Sequence, residues 1–200
     1  RSGAASGATN EQYTQQSYDN LVSVMNQYKQ LGIAVAAVYC EGDNMNNQAA
    51  YDFLASKNSR LLMWYAASSN PSTSMKTIMD EAGIANWNWP YPLWADHPVK
   101  GDYLFEHTIE NFGKSTFLDF SHPNAKTYIK GRWAQQLSWG LKGGMIDYGE
   151  WLPDCSYFSN GRYGDEMHNL ISYDYAKSYA EAFREYLGNN DFVLFQRSGS

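Results

Sequence analysis

Cysteine is almost missing from this chain, with only Cys40 and Cys155 in 200 residues. That excludes a disulfide framework and a CxxC-type metal site, and it leaves open one bridge at most, if the fold brings the two thiols together. Long apolar runs are also missing. No stretch approaches the roughly 18 apolar residues of a membrane span. The opening RSGAASGATN lacks the apolar centre of a signal peptide and reads as a loop or an expression remnant. There is no Asn-x-Ser/Thr sequon, since Asn70 is followed by Pro71, so the compartment stays open. Positive charge is the scarcer sign: 15 Lys and Arg face 21 Asp and Glu, giving a net charge of −6 and an isoelectric point near 5.1. This argues against nucleic-acid binding and against a membrane-surface protein. The four histidines, His97, His107, His122 and His168, show no HxH or HxxxH spacing, so no metal site is expected. No Gly-x-Ser-x-Gly elbow is present, and neither GxGxxG nor a phosphate loop follows the first apolar run.

What is present is a globular composition, 44% hydrophobic and 18% charged, long enough for one domain or part of a larger one. Aromatic residues make up 16%, with 16 Tyr and 7 Trp. They supply flat, partly polar surfaces suited to sugars, and they also fill cores.

Along the chain, Leu21, Val22, Met25 and Tyr28 recur at helical spacing and Gly32 closes the helix. The run Ile33–Cys40 reads as a strand covered on both faces. Residues 47–57 read as a short helix and Arg60–Ala67 as a second buried strand. The loop SSNPSTS then leads to a helix ended by Gly83. Residues 85–114 read as a long irregular segment carrying Trp87, Trp89 and Trp94, and loops of that length are usually functional. STFLDF is the third expected strand, and a helix follows with Ser121 as N-cap and Pro123 in its first turn. GGMIDYG is the fourth strand, residues 165–187 the next helix, and Phe192–Arg197 the fifth strand.

Strand and helix thus alternate with no hairpin signal, which predicts a parallel α/β architecture, either an open doubly wound sheet or a (β/α)8 barrel. The expected strand ends carry Glu41 and Asp43, the Ser68–Asn70 loop, Asp119, Asp147 with Glu150, and Arg197. Charges at carboxyl ends favour the barrel, where active groups gather on that face. Carboxylates among aromatics, with no metal cluster, suit glycosidic bond cleavage, which needs one carboxylate as nucleophile or base and one carboxylic acid as proton donor. Asp147, at a rigid strand terminus, is the best nucleophile candidate. An aspartate that merely caps the next loop fits the spacing equally well.

The segments LKGGMIDYGEWLPDCSYFSNG, EMHNLISYDYAKSYAEAFREY and DFVLFQRSGS resemble glycoside hydrolase family 31, in particular its sulfoquinovosidase-like branch. FLDFSHPNAKTYI and residues 3–39 resemble other segments of the same family. The resemblance implies a (β/α)8 TIM barrel, of which residues 1–200 would form roughly the first five β/α units, as a partial catalytic domain. It implies a retaining α-glycoside hydrolase without a cofactor, acting on a carbohydrate substrate. Asp147 matches the family nucleophile, Glu150 the acidic residue that shapes the site, and Arg197 the arginine beside the sugar. Trp151 follows in the same motif as a further substrate-binding candidate. His168 and Asn169 match a Met-His-Asn element that supports the structure, with His168 also a candidate for substrate contact.

The chain departs from the branch at CEGDNMN, where members carry a Gln-Asp-Trp-type segment. Asp43 or Glu41 is expected to take over a hydroxyl contact there, and a sulfonated sugar is not the expected substrate. The family's acid/base aspartate lies beyond the Arg-Ser-Gly strand, so the proton donor is expected outside residue 200. The rest of the barrel or a partner chain is expected to complete the fold, and residues 1–200 alone are not expected to hydrolyse glycosides. The alternative is a carbohydrate-binding or structural protein of the same fold without catalysis.

Overall fold

The computed structural model describes residues 10–40, 47–69, 107–109, 113–150 and 158–197. In order, the elements are α1 (Asn10–Gln30), β1 (Ala37–Cys40), α2 (Gln48–Ser56), β2 (Arg60–Ala66), β3 (Ser68–Ser69), β4 (His107–Ile109) and β5 (Gly113–Phe117). They continue with α3 (Ala125–Arg132), α4 (Ala134–Ser138), β6 (Gly143–Asp147), α5 (Gly164–Met167), α6 (Leu170–Leu187) and β7 (Val193–Gln196). A four-stranded sheet has the order β1-β2-β6-β7, and a three-stranded sheet the order β3-β5-β4. The chain divides into two compact units, Arg1–Trp64 with Gln135–Gly144, and Tyr65–Ala134 with Met145–Ser200.

In the first unit, α1 buries Leu21 and Met25, one turn apart, and α2 buries Ala50, Tyr51 and Leu54. β1 runs parallel to β2, with Ala37 opposite Arg60 and Cys40 opposite Met63. Both helices end in a Schellman motif. Gly32 takes the left-handed position after α1 (φ +71°), with its amide on the Lys29 carbonyl and the Ile33 amide on the Tyr28 carbonyl. Asn58 does the same after α2 (φ 55°), with the Ser59 amide on the Leu54 carbonyl. The first motif corrects the expected strand Ile33–Cys40. The Ile33 amide is already used to close α1, so it cannot join a ladder, and β1 begins at Ala37. Nor is β1 covered on both faces, because Tyr39 is 37% exposed.

In the second unit, α3 lays Ala125, Tyr128 and Ile129 against the face of α6 that carries Ile171, Tyr175, Ser178, Tyr179, Ala182 and Phe183. The 3.6-residue period visible in the sequence becomes a buried stripe, and Gly188, left-handed at φ 69°, stops the helix. Tyr65 fills the centre, with Trp133, Tyr179 and Phe183 at ring distances of 4.9, 4.8 and 6.1 Å.

Two further expectations are corrected in this unit. STFLDF does not supply a third strand of the parallel sheet. Gly113–Phe117 pairs antiparallel with β4, Ile109 opposite Gly113, and with β3, Ser68 opposite Phe117. Its backbone groups are taken by that small sheet, and β6 stands next to β2 in the larger one. Ser121 is not a helix cap either. Its hydroxyl and amide both donate to Asp119, and α3 starts four residues later with Asn124 at the N-cap position.

Candidate active site

β6 ends in Ile146, fully buried, and Asp147, 4% exposed. Arg197 follows β7 directly, and its amide reaches the Ile146 carbonyl (3.3 Å), which sets the arginine beside the end of β6. Its Nε lies 2.6 Å from Asp147 Oδ1 and its Nη2 3.2 Å from Glu150 Oε1. One guanidinium therefore bridges the two carboxylates that the sequence places three positions apart. Asp147 Oδ1 also accepts the Tyr148 amide at 3.0 Å. Tyr148 is left-handed at φ 61°, and its ring lies under the Arg197 guanidinium, 4.5 Å from Cζ to centroid. Glu150 Oε2 is shielded from solvent and has no hydrogen-bond partner among the described residues.

Behind this group, Tyr175 is fully buried, stacked on Phe120 at 4.3 Å and edge-on to Tyr179 at 5.3 Å. Its hydroxyl faces the Asp147 backbone amide but falls short of hydrogen-bond geometry. Burial, reinforced by Tyr179, holds the phenol well above its ordinary pKa, so it stays neutral. An apolar wall thus backs the ion cluster, and a low local dielectric strengthens the pairing of Arg197 with Asp147.

Asp119, the other strand-end acid in this unit, is fully buried and fully engaged. Oδ1 accepts the Ser121 amide (3.0 Å) and hydroxyl (2.6 Å), and Oδ2 accepts the Ser159 amide (2.7 Å). It ties the turn after β5 to Ser159 and so acts as a tether. His122 belongs to the same turn: Nδ1 accepts the Asn124 amide (3.1 Å), and burial lowers its pKa against the pull of Asp119.

Of the site residues expected from the sequence, Asp147, Glu150 and Arg197 come together. His168 stands at the C-terminal end of α5 and is exposed. Asp43, Glu41 and Trp151 lie outside the described residues, as do Trp87, Trp89, Trp94 and Cys155, and with Cys155 the question of a bridge to Cys40. Sequence reasoning missed Tyr148 and Tyr175. Nothing at Tyr148 sets it apart in the sequence, where glycine is the residue expected in a left-handed turn, and Tyr175 falls within residues 165–187, read only as a helix. Among the described residues no helix is long and apolar enough to cross a membrane.

The model of the glycosyl hydrolases family 31 TIM-barrel domain matches residues 3–200. The chain is 33% identical over 103 residues to the sulfoquinovosidase of Escherichia coli K12, a match covering 50% of this chain and 14% of that protein. Among solved structures it is similar to a family 31 dextranase of Flavobacterium johnsoniae in complex with glucose (TM-score 0.75, 14% identity, 91% of this chain and 24% of that one). It is also similar to a family 31 sulfoquinovosidase from E. rectale in complex with an aza-sugar inhibitor (TM-score 0.70, 19% identity, 89% and 28%). The chain spans less than a third of the length of each of these relatives.

Proposed function

This chain belongs to glycoside hydrolase family 31, and we propose that residues 1–200 are part of a (β/α)8 catalytic domain that hydrolyses an α-linked sugar with retention, through a covalent glycosyl-enzyme on Asp147. The observation that supports this most is the pairing of a buried strand-end carboxylate with Arg197 and the Tyr148 amide on the same oxygen. Two donors fix the carboxylate's aim, as a nucleophile requires. In the first step an Asp147 oxygen bonds to the anomeric carbon while the bond to the leaving oxygen breaks, and that oxygen takes a proton from a carboxylic acid. In the second step water, deprotonated by the same group, displaces Asp147. No cofactor enters.

Glu150 is read as a sugar-binding group, with Oε1 anchored by Arg197 and Oε2 turned to a hydroxyl of the substrate. It is a poor proton donor, since the acid of a retaining pair stands across the scissile bond, about 5–5.5 Å from the nucleophile. Glu150 shares a guanidinium with Asp147 instead. The donor is accordingly assigned to a carboxyl outside the described residues. The deciding experiment treats the full-length enzyme with a mechanism-based fluoro-glycoside and maps the adduct by peptide mass. Label on Asp147 is expected, and label on any other residue sinks the assignment. Sugar binding with neither label nor turnover would favour a non-catalytic protein of this fold.

A further inference from the structure

Tyr148 holds a backbone conformation that a bulky aromatic residue rarely adopts, although a glycine stands next to it in the chain. Two contacts meet at this residue. Its amide donates to Asp147 Oδ1 (3.0 Å), and its ring lies under Arg197, whose Nε reaches the same Oδ1 at 2.6 Å. A single residue therefore supplies one donor to that oxygen and the platform on which the other rests.

We infer that Tyr148 is the positioning residue of this site, its ring holding the Arg197 guanidinium against Asp147 Oδ1. The inference rests on reading Asp147 as the nucleophile. With the guanidinium held, Asp147 keeps its aim while one of its oxygens bonds to the anomeric carbon and the leaving oxygen departs with the donor's proton. The ring matters because a guanidinium half exposed to water wanders without a platform, and a face-on aromatic surface limits its orientations.

The test compares rates of fluoro-glycoside labelling in the full-length enzyme for wild type, Tyr148→Gly, Tyr148→Asn and Tyr148→Phe. Gly and Asn both tolerate the left-handed region, so the turn survives in each while the platform is lost. Labelling in these two is expected to slow by roughly tenfold, in line with loss of a cation–π contact, with the adduct still on Asp147. Their thermal midpoints should be no lower than that of wild type, because backbone strain is relieved. Tyr148→Phe, which keeps the ring, should restore the rate to within about threefold. Wild-type labelling rates in both ring-less variants, or a Phe variant as slow as they are, would overturn the role of Tyr148 while leaving Asp147 as nucleophile. Adduct on another residue of the wild type removes the premise and overturns both readings.

Discussion

Glu185 draws Lys126 and Lys130 to 2.7 and 2.8 Å, and Asp147 draws Arg197 to 2.6 Å, so by distance the two ion clusters of the second unit look alike. Their surroundings differ. The lysines and Glu185 leave 34% and 44% of their side chains in water, on the outer faces of α3 and α6, where Glu181 joins at 3.4 Å from Lys126. Asp147 leaves only 6%, and the neutral phenol of Tyr175 lies behind it. Water screens the first cluster and makes it interchangeable with other solvated charges. The second sits where each partner is needed, because an unpaired buried carboxylate is costly. Short ion pairs alone therefore do not mark a site. What sets the second pair apart is one buried member, held by a partner from a different strand end.

Five substitutions or assays sharpen or break this contrast. The largest effect is expected from Asp147→Asn in the full-length enzyme. The change is nearly isosteric, so circular dichroism should be unchanged while turnover falls by at least roughly 10³-fold. Retained turnover would reduce Asp147 to a structural acid like Asp119. Arg197→Met comes next. It should lower kcat/KM by about 10²-fold and stability to urea by about 1–3 kcal/mol, the cost of leaving a buried acceptor without its donor. An Asp147→Asn/Arg197→Met double variant should lose less stability than the two single changes summed.

Substrate choice should give a smaller effect. Among the described residues Arg197 is the positive charge paired with Asp147 and Glu150, and it is already committed to both. A neutral α-glycoside is expected to be preferred over the matching α-sulfoquinovoside by about tenfold in kcat/KM. A tenfold preference for the sulfonated sugar would mean that positive charge enters from elsewhere. The smallest effect belongs to the outer cluster. Glu185→Gln should move the thermal midpoint by no more than about 2 °C, and high salt should erase the difference. Hydrogen bonds from Lys126 and then Lys130 depress the Glu185 carboxyl from 4.5 to about 2. Its contribution is thus present above pH 4.5 and is lost as pH falls toward 2, so wild type and variant should converge over that range.

Much of the fold was legible where a local signal and a tertiary role coincide. Gly32 and Gly188 end their helices in the left-handed conformation, the α6 stripe is buried, and the apolar run Gly143–Ile146 ends in an acid at the carboxyl end of a strand. The failures came where a segment's partner is not written in the segment. STFLDF has the composition of a strand, but composition cannot say that β3 and β4 take it before the larger sheet does. Ser121 has the chemistry of a helix cap, yet Asp119, two residues away, claims both of its donors. The site was only half legible. Spacing placed Asp147 beside Glu150, but nothing local ties them to an arginine 47 residues beyond Glu150; the strand-end pattern put all three on one face, and the family resemblance gave them roles.

The Asp119 tether also bears on which positions of the chain are able to drift. Its Oδ2 reaches a main-chain amide at residue 159, so position 159 carries the contact whatever its side chain, proline excepted. Its Oδ1 needs both the amide and the hydroxyl of residue 121, so that position is confined to serine or threonine for the full set. Position 119 has no such freedom. Glutamate is one methylene too long for a buried slot, and asparagine trades an accepting oxygen for a nitrogen facing donors. Divergence among descendants of this chain should therefore be steep in the order 159, 121, 119, with the last nearly silent.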